Sequence, residues 1–149
     1  MNKDEYWMHL ALEQARKAEE MGEVPVGAIL VKDNHIIARA HNQSVSTNDA
    51  SAHAEIQLIR IAGKKLKNYR LNNTSLYVTL EPCTMCLGAI MHARINRLIF
   101  GAYDPKTGVC GSAENLVEAN YFNHKIKLVS GILETDCRNL LKKFFISRR

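Results

Sequence analysis

The sequence predicts an α/β chain, a three-layer α/β/α sandwich around a mixed five-stranded sheet. Two observations carry this. Helix-period segments alternate with short runs rich in β-branched residues. The order αββαβαβ(α)βα then implies a sheet covered by helices. The 149 residues, 46% hydrophobic and 23% charged, fit a single domain over 1–149 with its own core.

Each element has a local reason. Residues 4–21 read as an amphipathic helix stopped at Gly22, a usual C-terminal cap position. "VPVGAILV" and "HIIARAH" are strands joined by the turn residues "KDN", hence a hairpin. "NQSVSTNDAS" is a polar loop whose end caps a helix starting near Ala52 and running to about Lys65. "SLYVTL" is the next strand. Pro82 opens the helix "CTMCLGAIMHA", proline being favoured in a first turn. "RLIFGA" follows as a strand, and 103–123 as a long loop with at most a short helix. "KIKLVSG" and "LETDCRNLLKKFFIS" supply the last strand and helix.

Composition narrows the function classes. The charged N-terminus lacks the apolar core of a signal peptide, and no run approaches the ~20 apolar residues of a membrane span. The expected compartment is therefore reducing and cytoplasmic, where four cysteines point to metal or catalytic use rather than disulfides. The net charge of +5 is compatible with a nucleic-acid partner. Basic residues gather in "GKKLKNYR" and "KKFFISRR", which also read as solvated helix ends.

Chemistry concentrates at Cys83 and Cys86 of "LEPCTMC". A CxxC at a helix start suits redox chemistry, because the helix terminus lowers thiol pKa. A structural zinc site needs four closed ligands, and no second CxxC or HxxxH supplies them. Cys110 is a lone loop cysteine that reads either as a fourth ligand or, more commonly, as a plain side chain without an assigned role, and Cys137 lies on an apolar helix stripe as a small hydrophobe. Upstream, "AHAEI" places His53 and Glu55 at another helix start. Alone it is a weak signal. Together, H-x-E and P-C-x-x-C make the pattern of the zinc nucleobase deaminases.

The arrangement is chemically coherent. Spacing of i, i+3 puts both sulfurs on one side of their helix, whose N-terminus favours thiolates. His53 completes three protein ligands and leaves a fourth position for water. Glu55, about 200° from His53 around a regular helix, is placed to move protons rather than to ligate. Zinc with two thiolates and a neutral imidazole is formally neutral. It should acidify water less than an all-histidine site, where the pKa reaches about 7, and a carboxylate base makes up the difference.

These residues, with "EVPVGAILV", "NYRL", "GAIMHARI", "FGAYDPKTG", "GSAENL", Asn123–His124 and the "FF..RR" tail, closely resemble the bacterial tRNA-specific adenosine deaminases of the cytidine-deaminase superfamily. The resemblance spans about Tyr6 to Arg149. It implies a cytidine-deaminase-like fold and one Zn2+ per subunit on His53, Cys83 and Cys86, with Glu55 as proton shuttle. It implies hydrolysis of the wobble adenosine of a tRNA anticodon stem-loop to inosine, by a homodimer without membrane association. The Ala54 N–H would orient the base and Asn42 would line the pocket. Asp104, Lys106, Asn123, Phe144, Phe145 and Arg149 would meet the RNA. Several have plainer readings: Phe144 and Phe145 continue the apolar stripe of the last helix, Asp104 precedes a turn proline, and Asn42 ends a strand. Guanine deaminases share "HAE" and a following "LGAI"; the "FGAYDPKTG" loop and the basic tail favour tRNA.

Overall fold

A computed structural model describes residues 2–148. Its elements are α1 (Lys3–Glu20), β1 (Gly27–Lys32), β2 (His35–His41), α2 (Ser44–Thr47), α3 (Ala54–Leu66), β3 (Ser75–Leu80), α4 (Thr84–His92), β4 (Arg97–Ala102), β5 (Lys127–Val129) and α5 (Glu134–Ser147). The strands form a five-stranded sheet in the order β2-β1-β3-β4-β5. β1 runs antiparallel to β2 and β3, while β3, β4 and β5 are mutually parallel, so the sheet is mixed as the sequence predicts.

Pairing registers assign the helices to faces. Gly27 lies on the sheet face carrying Ile29 and Tyr77, and Ile99 pairs with Tyr77 on that same face. A Cβ at Gly27 would overlap the Ala11 carbonyl of α1, and one at Gly101 would overlap the Cys137 sulfur of α5. Both helices therefore cover this face, and the two glycines set how closely they approach. α3 packs on β1 and β2, and α4 packs beside α3. Ala28, Val78 and Phe100 are paired and fully buried on the face opposite Gly27.

The ends of α1 show sequence acting directly on backbone. Asn2 Oδ1 accepts the Glu5 N–H at 2.8 Å and caps the start. At the other end Gly22 takes φ +77°, while the Glu23 N–H reaches Ala18 O at 2.9 Å and the Gly22 N–H reaches Glu19 O at 3.0 Å. This double bond is a Schellman stop. Between the ends, Met8, Ala11, Leu12, Ala15 and Ala18 form the buried stripe. The hairpin turn places Asp33 and Asn34 at φ 50° and 65°, the left-handed pair that matches strand twist.

Some boundaries differ from expectation, each for a physical reason. β1 begins at Gly27 rather than Val24, because Pro25 has no N–H for a ladder and the Val26 N–H turns back to Val24 O at 2.8 Å. The loop after β2 contains the short helix α2. Glu23 nucleates it by accepting the Val45 and Ser46 N–H groups at 3.0 and 2.6 Å. α3 starts at Ala54, two residues later than expected, since Asp49 holds Ser51 through its N–H and hydroxyl at 2.9 and 2.7 Å. Pro82 precedes the N-cap of α4, which is Cys83 itself. No helix forms in 103–126; turns and a bridge between Cys110 and Asn115 fill the segment. No helix among the described residues is long and apolar enough to cross a membrane.

Candidate metal centre and substrate cavity

His53 and Cys83 occupy equivalent positions. Each is the N-cap of a helix, each has extended backbone (ψ 156° and 177°), and neither side chain caps its own helix. The ring and the thiol instead turn toward each other. His53 Nδ1 lies 3.7 Å from Cys83 Sγ and 3.5 Å from Cys86 Sγ. The three potential ligand atoms all fall within 4.8 Å of one another. A tetrahedral ion with Zn–N and Zn–S bonds of ~2.0–2.3 Å separates nitrogen from sulfur by about 3.5 Å, so this donor set fits zinc. Because His53 precedes the helix in extended backbone, the rotation expected for a regular helix does not describe its relation to Glu55. Glu55 sits inside the first turn of α3 and is 4% exposed.

The protonation pattern follows from crowding. A hydrogen bond from the Cys86 thiol, reinforced by His53, draws Cys83 down to about 4 against its burial. Cys86 is pushed up, first by that bond and then by burial. His53 is raised by its hydrogen bond to Cys83. Burial lifts Glu55 to about 7, with the Cys83 charge adding to the lift and His53 and Cys86 opposing it. The crowding thus favours the thiolate at Cys83 and the protonated form at Cys86 and Glu55, and a bound metal would displace the thiol proton.

Because His53 does not cap α3, another residue takes over that work. Asn42 Oδ1 accepts the Ala54 N–H at 2.7 Å. Asn42 and Ala54, expected as separate contacts to a base, are bonded to each other here. Gln43 reinforces the junction through its N–H to Ala52 O at 2.9 Å and its side chain to Gln57 at 2.8 Å.

Asp104, Lys106 and Phe145 come together as lining of a cavity of about 690 Å³, with Leu80, Ala102 and Leu141 at its apolar wall. Phe145 is 52% exposed there, whereas Phe144 is buried beneath the Arg148 guanidinium, 4.6 Å from its ring centre. Asn123 is exposed in irregular chain before β5 and is not part of this lining. Arg149 lies outside the described residues. Cys110 is buried under the loop and its N–H donates to Glu81 at 3.0 Å. Cys137 packs against Gly101, in keeping with a small core residue.

Two buried carboxylates were not singled out in the sequence. Glu23 anchors α2, and Glu81 gathers donors from 104–112. The available signal was an acid one or two positions before a proline among apolar residues, in "GEVPV" and "TLEPC".

The chain is similar to known proteins over nearly its whole length. The family described as MafB19-like deaminase matches residues 1–149. The chain is 51% identical over 147 residues to the tRNA-specific adenosine deaminase of Haemophilus influenzae, covering 98% of this chain and 85% of the relative. It is 48% identical over 145 residues to that of Bacillus subtilis, covering 97% and 90%. A chain solved in studies of A-to-I editing by tRNA:A34 deaminases at the wobble position of transfer RNA superposes with a TM-score of 0.89. That pair shares 46% identity and covers 91% of this chain and 99% of the other.

Proposed function

The chain belongs to the family of bacterial tRNA-specific adenosine deaminases, and from this we infer a hydrolase that converts the wobble adenosine of a tRNA anticodon to inosine. The observation that carries the mechanism is the convergence of His53, Cys83 and Cys86 beside the buried Glu55. Zinc held by these three side chains would supply the Lewis acidity that makes water nucleophilic at neutral pH.

The protein's own groups do the rest. Glu55 takes a proton from the attacking water on its carboxyl oxygen and gives it to the adenine ring nitrogen as the C–O bond forms; it then takes the proton of the added hydroxyl and passes it to the amine as the C–N bond breaks. Burial, which raises the Glu55 carboxyl above its ordinary range, suits a group that must both take and give a proton. Water and adenosine enter; inosine and ammonia leave. The cavity lined by Asp104, Lys106 and Phe145, with its apolar wall, would receive nucleotides flanking the flipped base. Asn42, Ala54, Asn123, Phe144 and Arg149 belong to the same proposal as RNA-facing positions, with Phe144 acting through Phe145, 5.4 Å away ring to ring.

The whole chain would work as one catalytic domain in a cytoplasmic homodimer. Free cysteines at 83, 86, 110 and 137 suit a reducing compartment. Light scattering on the purified protein tests the dimer.

Ammonia release from anticodon stem-loop RNA, free adenosine and free guanine tests the substrate. The RNA should be the efficient one, and its KM should rise with salt as phosphate contacts are screened. Rapid turnover of guanine, insensitive to salt, would overturn the assignment.

A further inference from the structure

We propose that Glu81 is the positioning residue that registers the 104–112 segment against the metal helix, so that Asp104 and Lys106 meet the RNA while the adenine is at Glu55. The proposal rests on the RNA-deaminase reading above and deepens it. Glu81 is 2% exposed and sits two residues before Cys83. Oε1 accepts the Asp104 N–H at 3.0 Å and the Ser112 hydroxyl. Oε2 accepts the Cys110 and Ser112 N–H groups at 3.0 and 3.1 Å. Three backbone N–H groups and one hydroxyl thus converge on the two oxygens of a single buried side chain.

The bonds continue toward the cavity. Asp104, held through its own N–H, uses Oδ1 to accept the Lys106 and Thr107 N–H groups, both at 3.1 Å, and Oδ2 to accept the Thr107 hydroxyl at 2.8 Å. Asp104, Lys106 and Thr107 are also lining residues of the cavity. One buried carboxylate is thereby linked to the groups that face substrate, without touching the cluster of His53, Cys83 and Cys86. The strand end is docked a second time where the Val109 N–H meets Pro82 O at 3.1 Å. Gly108 makes the close approach possible, since a Cβ there would overlap the Glu81 carboxyl carbon and lie 2.6 Å from Asp104 O.

A residue that merely props up the fold and one that positions substrate predict different kinetics. Glu81→Gln presents an amide N–H to at least one of the four donors, which loosens the segment but leaves all three metal-cluster side chains in place. Zinc content, kcat and KM on anticodon stem-loop RNA are to be measured for wild type, Glu81→Gln, Glu81→Asp and Gly108→Ala. The positioning role predicts full zinc in Glu81→Gln, KM raised about tenfold or more and kcat within about threefold. Glu81→Asp keeps both acceptor oxygens and should recover most of the KM. Gly108→Ala keeps every polar group but pushes the segment off the carboxylate, so it should reproduce the KM rise and stands in should Glu81→Gln fail to fold.

Activity falling in step with zinc content at unchanged KM would overturn the proposal, as would unchanged kinetics in both Glu81→Gln and Gly108→Ala. A zinc-loaded wild type inactive on the RNA would overturn the deaminase reading and this proposal with it. A competent wild type beside variants of unchanged KM overturns the Glu81 role alone.

Discussion

His53 Nδ1 and Cys86 Sγ lie 3.5 Å apart although 33 positions separate them in the chain, and each belongs to the start of a different helix. That spacing matches the nitrogen–sulfur edge expected of a tetrahedral zinc site. Cys86→Ser should therefore lose zinc by far more than the ~10–100-fold that outer-shell changes cost. Inductively coupled plasma measurement should find about one zinc per wild-type chain and little in the variant. Chelation should abolish deamination and zinc should restore it. Full zinc in Cys86→Ser would remove that sulfur from the ligand set.

Substitution of Glu55 tests whether catalysis and metal binding are separable. It is buried, and its carboxyl stands near neutrality through that burial. Glu55→Ala should keep zinc and bind RNA, yet lower kcat by at least about 10²–10⁴-fold, the usual worth of a positioned acid–base group. Metal analysis and single-turnover assays on the same preparation check this. Retained activity with reduced zinc would make Glu55 a ligand instead.

How much of this was legible in the sequence depends on what each residue bonds to. His53, Cys83 and Cys86 were legible because metal donors are rare residue types at fixed spacing before helices. The strands were legible from period and β-branched content and the β1–β2 hairpin from its turn, whereas the pairings of β1 with β3 and of β4 with β5 are tertiary and were not. Glu23 and Glu81 were not, because their partners are backbone N–H groups 22 to 31 positions away, and any sequence has those. The bond between Asn42 and Ala54 was hidden for a similar reason. It exists because the His53 ring is turned to the sulfurs, a tertiary fact.

Acid should expose the Glu23 clamp. The carboxyl is buried, which alone would raise its pKa, but the Ser46 and Val45 N–H groups outweigh this and hold it below its ordinary 4.5. A lowered folded pKa contributes stability that is complete above the unfolded value and lost as pH falls through the folded one. Glu23→Gln leaves one N–H facing an amide donor and should cost about 1–3 kcal/mol at neutral pH. Thermal denaturation of both proteins across pH should show a constant gap above about pH 5 that narrows below the ordinary 4.5. A gap independent of pH down to the acid limit would mean that the charge of Glu23 is not what holds α2.

Asn42 offers a way to separate capping from substrate recognition. Its oxygen does for α3 what an N-cap side chain normally does, since His53 at that position makes no capping bond. Asn42→Ala should cost about 1 kcal/mol of stability, the usual worth of a cap, and should weaken zinc binding by loosening the helix start that carries His53. Asn42→Asp keeps an acceptor and adds charge that the helix terminus favours, so stability should be retained. If Asn42 also contacts the base through its amide N–H, Asn42→Asp will raise KM for the RNA while melting like wild type, because the aspartate has no proton to donate. Urea denaturation beside steady-state kinetics distinguishes the two roles: equal KM and equal stability in Asn42→Asp would make the residue a cap alone.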